Sequence, residues 1–133
     1  MDVIQSAAVT ELVPLLFVDD VARSAAFYRD KLGFEMTASW EPDGKLTWCR
    51  MRRGGAVLML QTACPEEDGP GGSRGRGVEF FFTCDDAHAM HADLTANGLK
   101  LDPPKVAFYG MKQLFLKDPD GYHLCFQNQV DQR

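Results

Sequence analysis

The sequence lacks any apolar run approaching the roughly 18 residues that a membrane-spanning helix requires, so no membrane association is expected. It also lacks a basic excess. Lys and Arg number 14 against 19 Asp and Glu, leaving a net charge of −5 and a pI near 5.1. That balance argues against non-specific binding of nucleic acid and mildly favours neutral or cationic ligands. The four cysteines, Cys49, Cys64, Cys84 and Cys125, include no CxxC pair. The opening "MDVIQSAAVTEL" has neither a basic n-region nor a long apolar h-region, so no signal peptide is read and a cytoplasmic location is expected. The cysteines accordingly read as reduced thiols rather than a disulfide framework. The stretch "CPEEDGPGGSRGRG" is rich in glycine but lacks the Lys-Ser/Thr ending and the strand–helix context of a phosphate loop. It reads as a flexible linker.

The chain does contain enough to bury one core. Its 133 residues, 45% hydrophobic and 25% charged, suit a single domain. "LVPLLFV" (12–18) reads as a buried strand. "DDVARSAAFYRDKLG" follows as a helix, with Asp20 as N-cap, Val21, Ala25, Tyr28 and Leu32 at helical spacing, Phe27 beside them, and Gly33 past its end. "FEMTASW", "LTWCRMR" and "AVLMLQ" then read as strands, separated by the turns "PDG" and "GG". The second half repeats this order. "EFFFTC" is a strand, "DDAHAMHADLTANG" a helix ending at Gly98, and "KVAFYG", "KQLFLK" and "YHLCFQ" are strands, the last after "DPDG". A constant offset of 66 residues relates Asp20 to Asp86, Gly44 to Gly110 and Gly55 to Gly121. Two βαβββ units arising by internal duplication are therefore expected.

Three stretches carry a family resemblance: "FVDDVARSAAFYRDKLGF", "TCDDAHAMHADLTANGL" and "YGMKQLFLKDPDGYHLCFQ". With them the sequence resembles the glyoxalase/bleomycin resistance/dioxygenase superfamily, the vicinal oxygen chelate proteins. The resemblance implies an α+β fold in which two tandem βαβββ modules form a curved mixed sheet around a cleft, with helices on the convex face. The expected divisions are module one at about 10–62, a linker at about 63–76 and module two at about 77–129, all within one domain over residues 1–133. A homodimer is also implied, with clefts built between or across chains.

Strand alternation sorts the side chains. Leu16 and Val18, Leu58 and Leu60, Phe80 and Phe82, and Leu124 and Phe126 should face the helices. Val13, Leu15, Phe17, Met59, Gln61, Glu79, Phe81, His123, Cys125 and Gln127 should face the cleft. In metal-dependent relatives, four equivalent positions carry His, Glu or Gln. Here they fall on Val13, Met59, Glu79 and Cys125, again related by 66 residues. Only Glu79 suits a hard or borderline divalent ion. No metal or other cofactor is therefore expected, and Cys125 reads as a small lining residue in a vacated ligand position. His88 and His91, at i and i+3, read as a solvated helix face, and a nucleophilic pairing of His123 with Cys125 lacks an accompanying oxyanion-hole signature.

The expected ligand-binding residues are Phe17, Trp48, Met59, Gln61, Glu79, Phe81, Tyr109, Gln113, His123 and Cys125. Together they suit a small-molecule pocket, for an aromatic or cationic ligand, of the bleomycin-resistance type. The alternative is a metal-dependent lyase, isomerase or dioxygenase. Glu79 is expected deep in the cleft, either satisfied by Gln61, Gln113 or Gln127 or serving as the polar anchor for a ligand.

Overall fold

Each module begins with a strand that hands directly into an Asp-capped helix. The computed structural model describes residues 6–64, 66 and 74–130. β1 (Leu15–Val18) leads to α1 (Val21–Asp30), and β5 (Glu79–Thr83) to α2 (Ala87–Ala96). Asp20 accepts from the Arg23 N–H at 3.2 Å, and Asp86 accepts from His88 and Ala89 at 2.9 and 3.2 Å. These bonds satisfy amides that the first helical turn leaves without partners. α1 buries Val21, Ser24, Ala25 and Tyr28, and α2 buries Ala87, Met90 and Leu94. Both helices thus present one stripe at helical spacing to the core.

Module one continues with β2 (Glu35–Trp40), β3 (Trp48–Arg53) and β4 (Ala56–Thr62). Module two continues with β6 (Lys105–Val106), β7 (Met111–Lys117) and β8 (His123–Gln129). The sheet orders are β1-β4-β3-β2 and β5-β8-β7-β6, each with one parallel and two antiparallel pairings. The parallel registers repeat the duplication: Leu15 lies opposite Met59, and Phe81 opposite Cys125. The curved sheet expected from the resemblance is therefore realised as two four-stranded sheets, with β1 and β5 at their edges.

Helix-facing residues of both sheets join a single core cluster, from Leu16, Val18, Leu58 and Leu60 to Leu114, Leu124 and Phe126. The modules are also tied by named contacts. Lys31 Nζ donates to the Asn97 carbonyl at 2.7 Å, while Asn97 Nδ2 donates back to the Lys31 carbonyl at 2.9 Å. These two residues are equivalents under the 66-residue repeat, so the exchange marks the internal two-fold. Phe34 and Phe82 meet edge to face at 6.0 Å between ring centroids.

The "DPDG" turn forms the densest polar junction. Tyr28 Oη donates to Asp118 at 2.8 Å, and Asp118 also accepts from the Asp120 and Tyr122 amides, both at 2.9 Å. Asp120 accepts from the Asp19 N–H at 2.9 Å and from Ser24 Oγ at 3.0 Å. The buried Arg74 lies against Asp19 and Asp120. Burial pushes the Asp118 carboxyl above its ordinary range, against the lowering effect of the Tyr28 hydrogen bond. The same burial, with Asp118 beside it, holds the Tyr28 phenol well above its ordinary range.

Several boundaries differ from the sequence reading. β1 starts at Leu15, and Leu12 is exposed, because Pro14 has no N–H to donate and contributes only its carbonyl, to the Met59 amide at 2.8 Å. In "KVAFYG" only Lys105–Val106 is strand; residues 107–110 turn, with the Gly110 N–H on the Ala107 carbonyl at 2.9 Å. Most of the expected linker, residues 65 and 67–73, lies outside the described residues.

Candidate functional site

The alternation that buries Leu58 and Leu60 turns their neighbours to the opposite, open face of each sheet. On the first sheet Phe17, Met59, Gln61 and Trp48 share that face: Phe17 pairs with Gln61, Trp48 with Gln61 and Trp40 with Trp48. On the second sheet Glu79, Phe81, Gln113, His123 and Cys125 share it, through Glu79 opposite His123, Phe81 and Phe115 opposite Cys125, and Gln113 opposite Gln127. The ten expected residues therefore form two groups, one per sheet. Tyr109 joins the second group from the turn before β7, accepting from Gln113 Nε2 at 2.7 Å. Gln113 Nε2 also donates to Gln127 Oε1 at 3.0 Å.

Cys125 is 1% exposed although it sits on the open face. Its cross-strand neighbours Phe81 and Phe115 explain this: their rings meet edge to face at 6.4 Å, leaving the small thiol beneath them. Both rings remain about half exposed. Burial pushes the Cys125 thiol up to about 11. It is a filler between two aromatic side chains, not an activated nucleophile.

Glu79 departs from expectation. It is exposed, and the glutamines named as its partners bond to one another and to Tyr109 instead. The reason is its place as the first residue of an edge strand, where the carboxylate reaches water without crossing the face. It lies in a cross-strand row with His123 and Lys117.

A cavity of about 760 Å³ opens beside β5, walled by Phe34, Phe80, Phe82, Met90 and Phe126 and rimmed by Arg53. Glu79 and Phe81 line it too, at the edge of β5, while most of its wall comes from side chains on the helix side of the sheet. Its size is within the range of small-molecule sites.

The sequence reading missed Arg50 and Arg52. Both project on the first open face, Arg50 opposite Met59 and Arg52 opposite Val57. They hold the Glu11 carboxylate at 2.6 and 3.0 Å, and these hydrogen bonds lower the Glu11 pKa. The period-two pattern of "WCRMR" carried the signal: if Trp48 faces the cleft, so do Arg50 and Arg52.

The four positions equivalent to metal ligands can now be tested as a donor set. Val13 supplies no donor, Met59 a thioether, Cys125 a protonated, covered thiol, and only Glu79 a carboxylate, exposed at the start of β5. Arg50 places a guanidinium beside Met59. Among the described residues, no group of three or more His, Cys, Asp or Glu side chains is arranged to hold a metal ion. His91 Nε2 lies 3.0 Å from the Leu101 carbonyl oxygen, which can only accept, and His88 is exposed. The donor set does not fit a hard divalent ion. No helix among the described residues is long and apolar enough to cross a membrane.

Duplicated βαβββ modules, Asp-capped helices and a "DPDG" junction coincide with a family match covering residues 8–126, that of the Glyoxalase/Bleomycin resistance protein/Dioxygenase superfamily. The chain belongs to this superfamily. No curated protein matches it by sequence. Among solved structures it is similar to TnmS3, an antibiotic binding protein from Streptomyces sp. CB03234, at 23% identity and a TM-score of 0.74, covering 95% of this chain and 100% of that one. A glyoxalase-related enzyme from Clostridium phytofermentans aligns at 15% identity and the same TM-score of 0.74, covering 95% and 99%. TioX from Micromonospora sp. ML1 aligns at 16% identity and a TM-score of 0.73, covering 91% and 99%. At these identities the likeness establishes the fold, which binding proteins and enzymes share.

Proposed function

We propose that this protein binds a small aromatic molecule without a bound metal, in the manner of bleomycin-resistance proteins, and that it acts by sequestration. The observation that carries this reading is the lining of the two open faces. Where a metal-dependent relative would converge oxygen and nitrogen donors, this chain offers Val13, Met59, Cys125 and a single carboxylate, Glu79, among Trp40, Trp48, Phe81 and Phe115. Flat, partly exposed rings with a few fixed amides, here the Gln113–Gln127–Tyr109 set, are what a planar ligand requires. TnmS3, described as an antibiotic binding protein, is compatible with the same use of this fold.

A homodimer belongs to this proposal. The helix sides of both sheets are already spent on the shared core, so the two open faces need a second copy to enclose a ligand between them. A reducing cytoplasmic setting suits Cys49, Cys84 and Cys125, which are free thiols.

The test is calorimetry with a ligand found by thermal-shift screening. Phe81→Ala and Phe115→Ala should each weaken binding by roughly tenfold, the loss of about 1.4 kcal/mol of stacking and apolar contact, while the chain stays folded. Unchanged affinity in both variants would remove the second open face from the site.

A further inference from the structure

We infer that Arg50 and Arg52 form an anion receptor in the cleft, specific for a carboxylate or similar planar anionic group on the ligand, and that Glu11 is its internal occupant in the free protein. The inference rests on the cleft reading above and adds the ligand's charge.

The geometry is that of a prepared site. Arg50 and Arg52 stand two apart on β3 and so project on the same face, beside Met59 and Trp48. Each guanidinium is oriented by one of its own amino groups. Arg50 Nη1 donates to Thr37 Oγ1 at 3.1 Å, and Arg52 Nη1 donates to the Gly54 carbonyl at 3.1 Å. Thr37 is itself fixed by donating to the Arg50 carbonyl at 3.3 Å, and it occupies the irregularity between Met36 and Ala38 in the β2–β3 register. In both arginines the other amino group, Nη2, is left to face a ligand. The two Nη2 groups grip one carboxylate, Glu11 Oε1 at 2.6 Å and Oε2 at 3.0 Å. One carboxylate held by two pre-oriented guanidinium groups is charge-assisted recognition with a defined plane.

The occupant is weakly committed. Glu11 lies in residues 6–14, ahead of β1, where Val9 and Leu12 are exposed, and its own side chain is 37% exposed. The pair is open to water, with Arg52 39% and Arg50 25% exposed, and a ligand carboxylate that also stacks on the aromatic face adds contacts that Glu11 lacks, so it can displace it. The mildly cation-favouring net charge of the chain thus gives way locally to an anion-selective patch.

The experiment uses the full chain and two matched probes, 2-naphthoate and its neutral carboxamide, titrated by calorimetry at low salt. In the wild type, naphthoate should bind several-fold more tightly than the carboxamide. Glu11→Gln should tighten naphthoate about tenfold further and leave the carboxamide unchanged. Arg50→Gln and Arg52→Gln should abolish the preference, and higher salt should shrink it. Carboxamide binding with no naphthoate preference in any variant overturns the receptor and leaves the aromatic cleft standing. Failure of both probes to bind, even to Glu11→Gln, removes both.

Discussion

Cys125 shows how a single residue decides between chemistries. It occupies a ligand-equivalent position, yet Phe81 and Phe115 cover it and burial raises its thiol to about 11. Cys49, in the core of the first sheet, is raised to about 11 by the same cause. At pH 8 only about one Cys125 side chain in a thousand is a thiolate, given a value near 11. In the folded protein it should react with iodoacetamide far more slowly than in urea; equal rates would mean that the rings do not cover it. The sign of the accompanying pH dependence follows from the same shift. Between about 9 and about 11 the folded chain keeps these two protons while the unfolded chain releases them. Their contribution is full below about 9 and is lost as pH rises through about 11, so the melting temperature should fall across that window. Alternation made Cys125's face legible from the sequence. Its cover was not, because that depends on which residues of β5 and β7 stand opposite. Glu79 is the converse: its face was read correctly, but its exposure depends on β5 being an edge strand.

At the scale of elements, the "DPDG" turn acts as a clasp rather than a simple reversal. Its Asp118 and Asp120 carboxylates hold Tyr28 and Ser24 of α1, the Asp19 amide and the buried Arg74. Gly75, next to Arg74, has φ +75° and stands where an added Cβ would meet the Tyr122 ring at 2.9 Å, so this approach admits glycine alone. Asp120→Ala should cost about 2 kcal/mol by leaving the Ser24 hydroxyl and the Asp19 amide without their acceptor and by removing one of the two carboxylates beside the buried Arg74. Urea denaturation measures it, and a loss within about 0.5 kcal/mol, as for ordinary surface changes, would show that the clasp is dispensable. The helices, their caps and the turn were legible because Asp20, Asp86 and "DPDG" signal locally. That the turn of one module grips the helix of the other was not, since no local pattern encodes contacts roughly a hundred residues apart.

Across the whole molecule, the duplication was the most legible feature, and the 66-residue offset reappears in the parallel registers and in the Lys31–Asn97 exchange. What the sequence left open is where the two open faces end up. Each carries exposed rings, with Trp40 60% exposed on one sheet and Phe115 55% on the other. Apolar surface of this kind marks an interaction site, and light scattering at micromolar concentration should give twice the 14.8 kDa chain mass. A single-chain mass would leave the faces unpaired and the cleft open.

The central claim is aromatic binding without a metal, and the chain carries its own reporter. Its only two tryptophans, Trp40 and Trp48, are cross-strand partners on the first open face. The decisive measurement is their fluorescence during titration of chelator-treated protein with the neutral naphthalene carboxamide. Saturable quenching, unchanged when Ni, Zn, Mn or Fe is added back, is the expected result. Quenching that occurs only after one of these metals is restored would contradict the account and place the protein with the metal-dependent members of its superfamily.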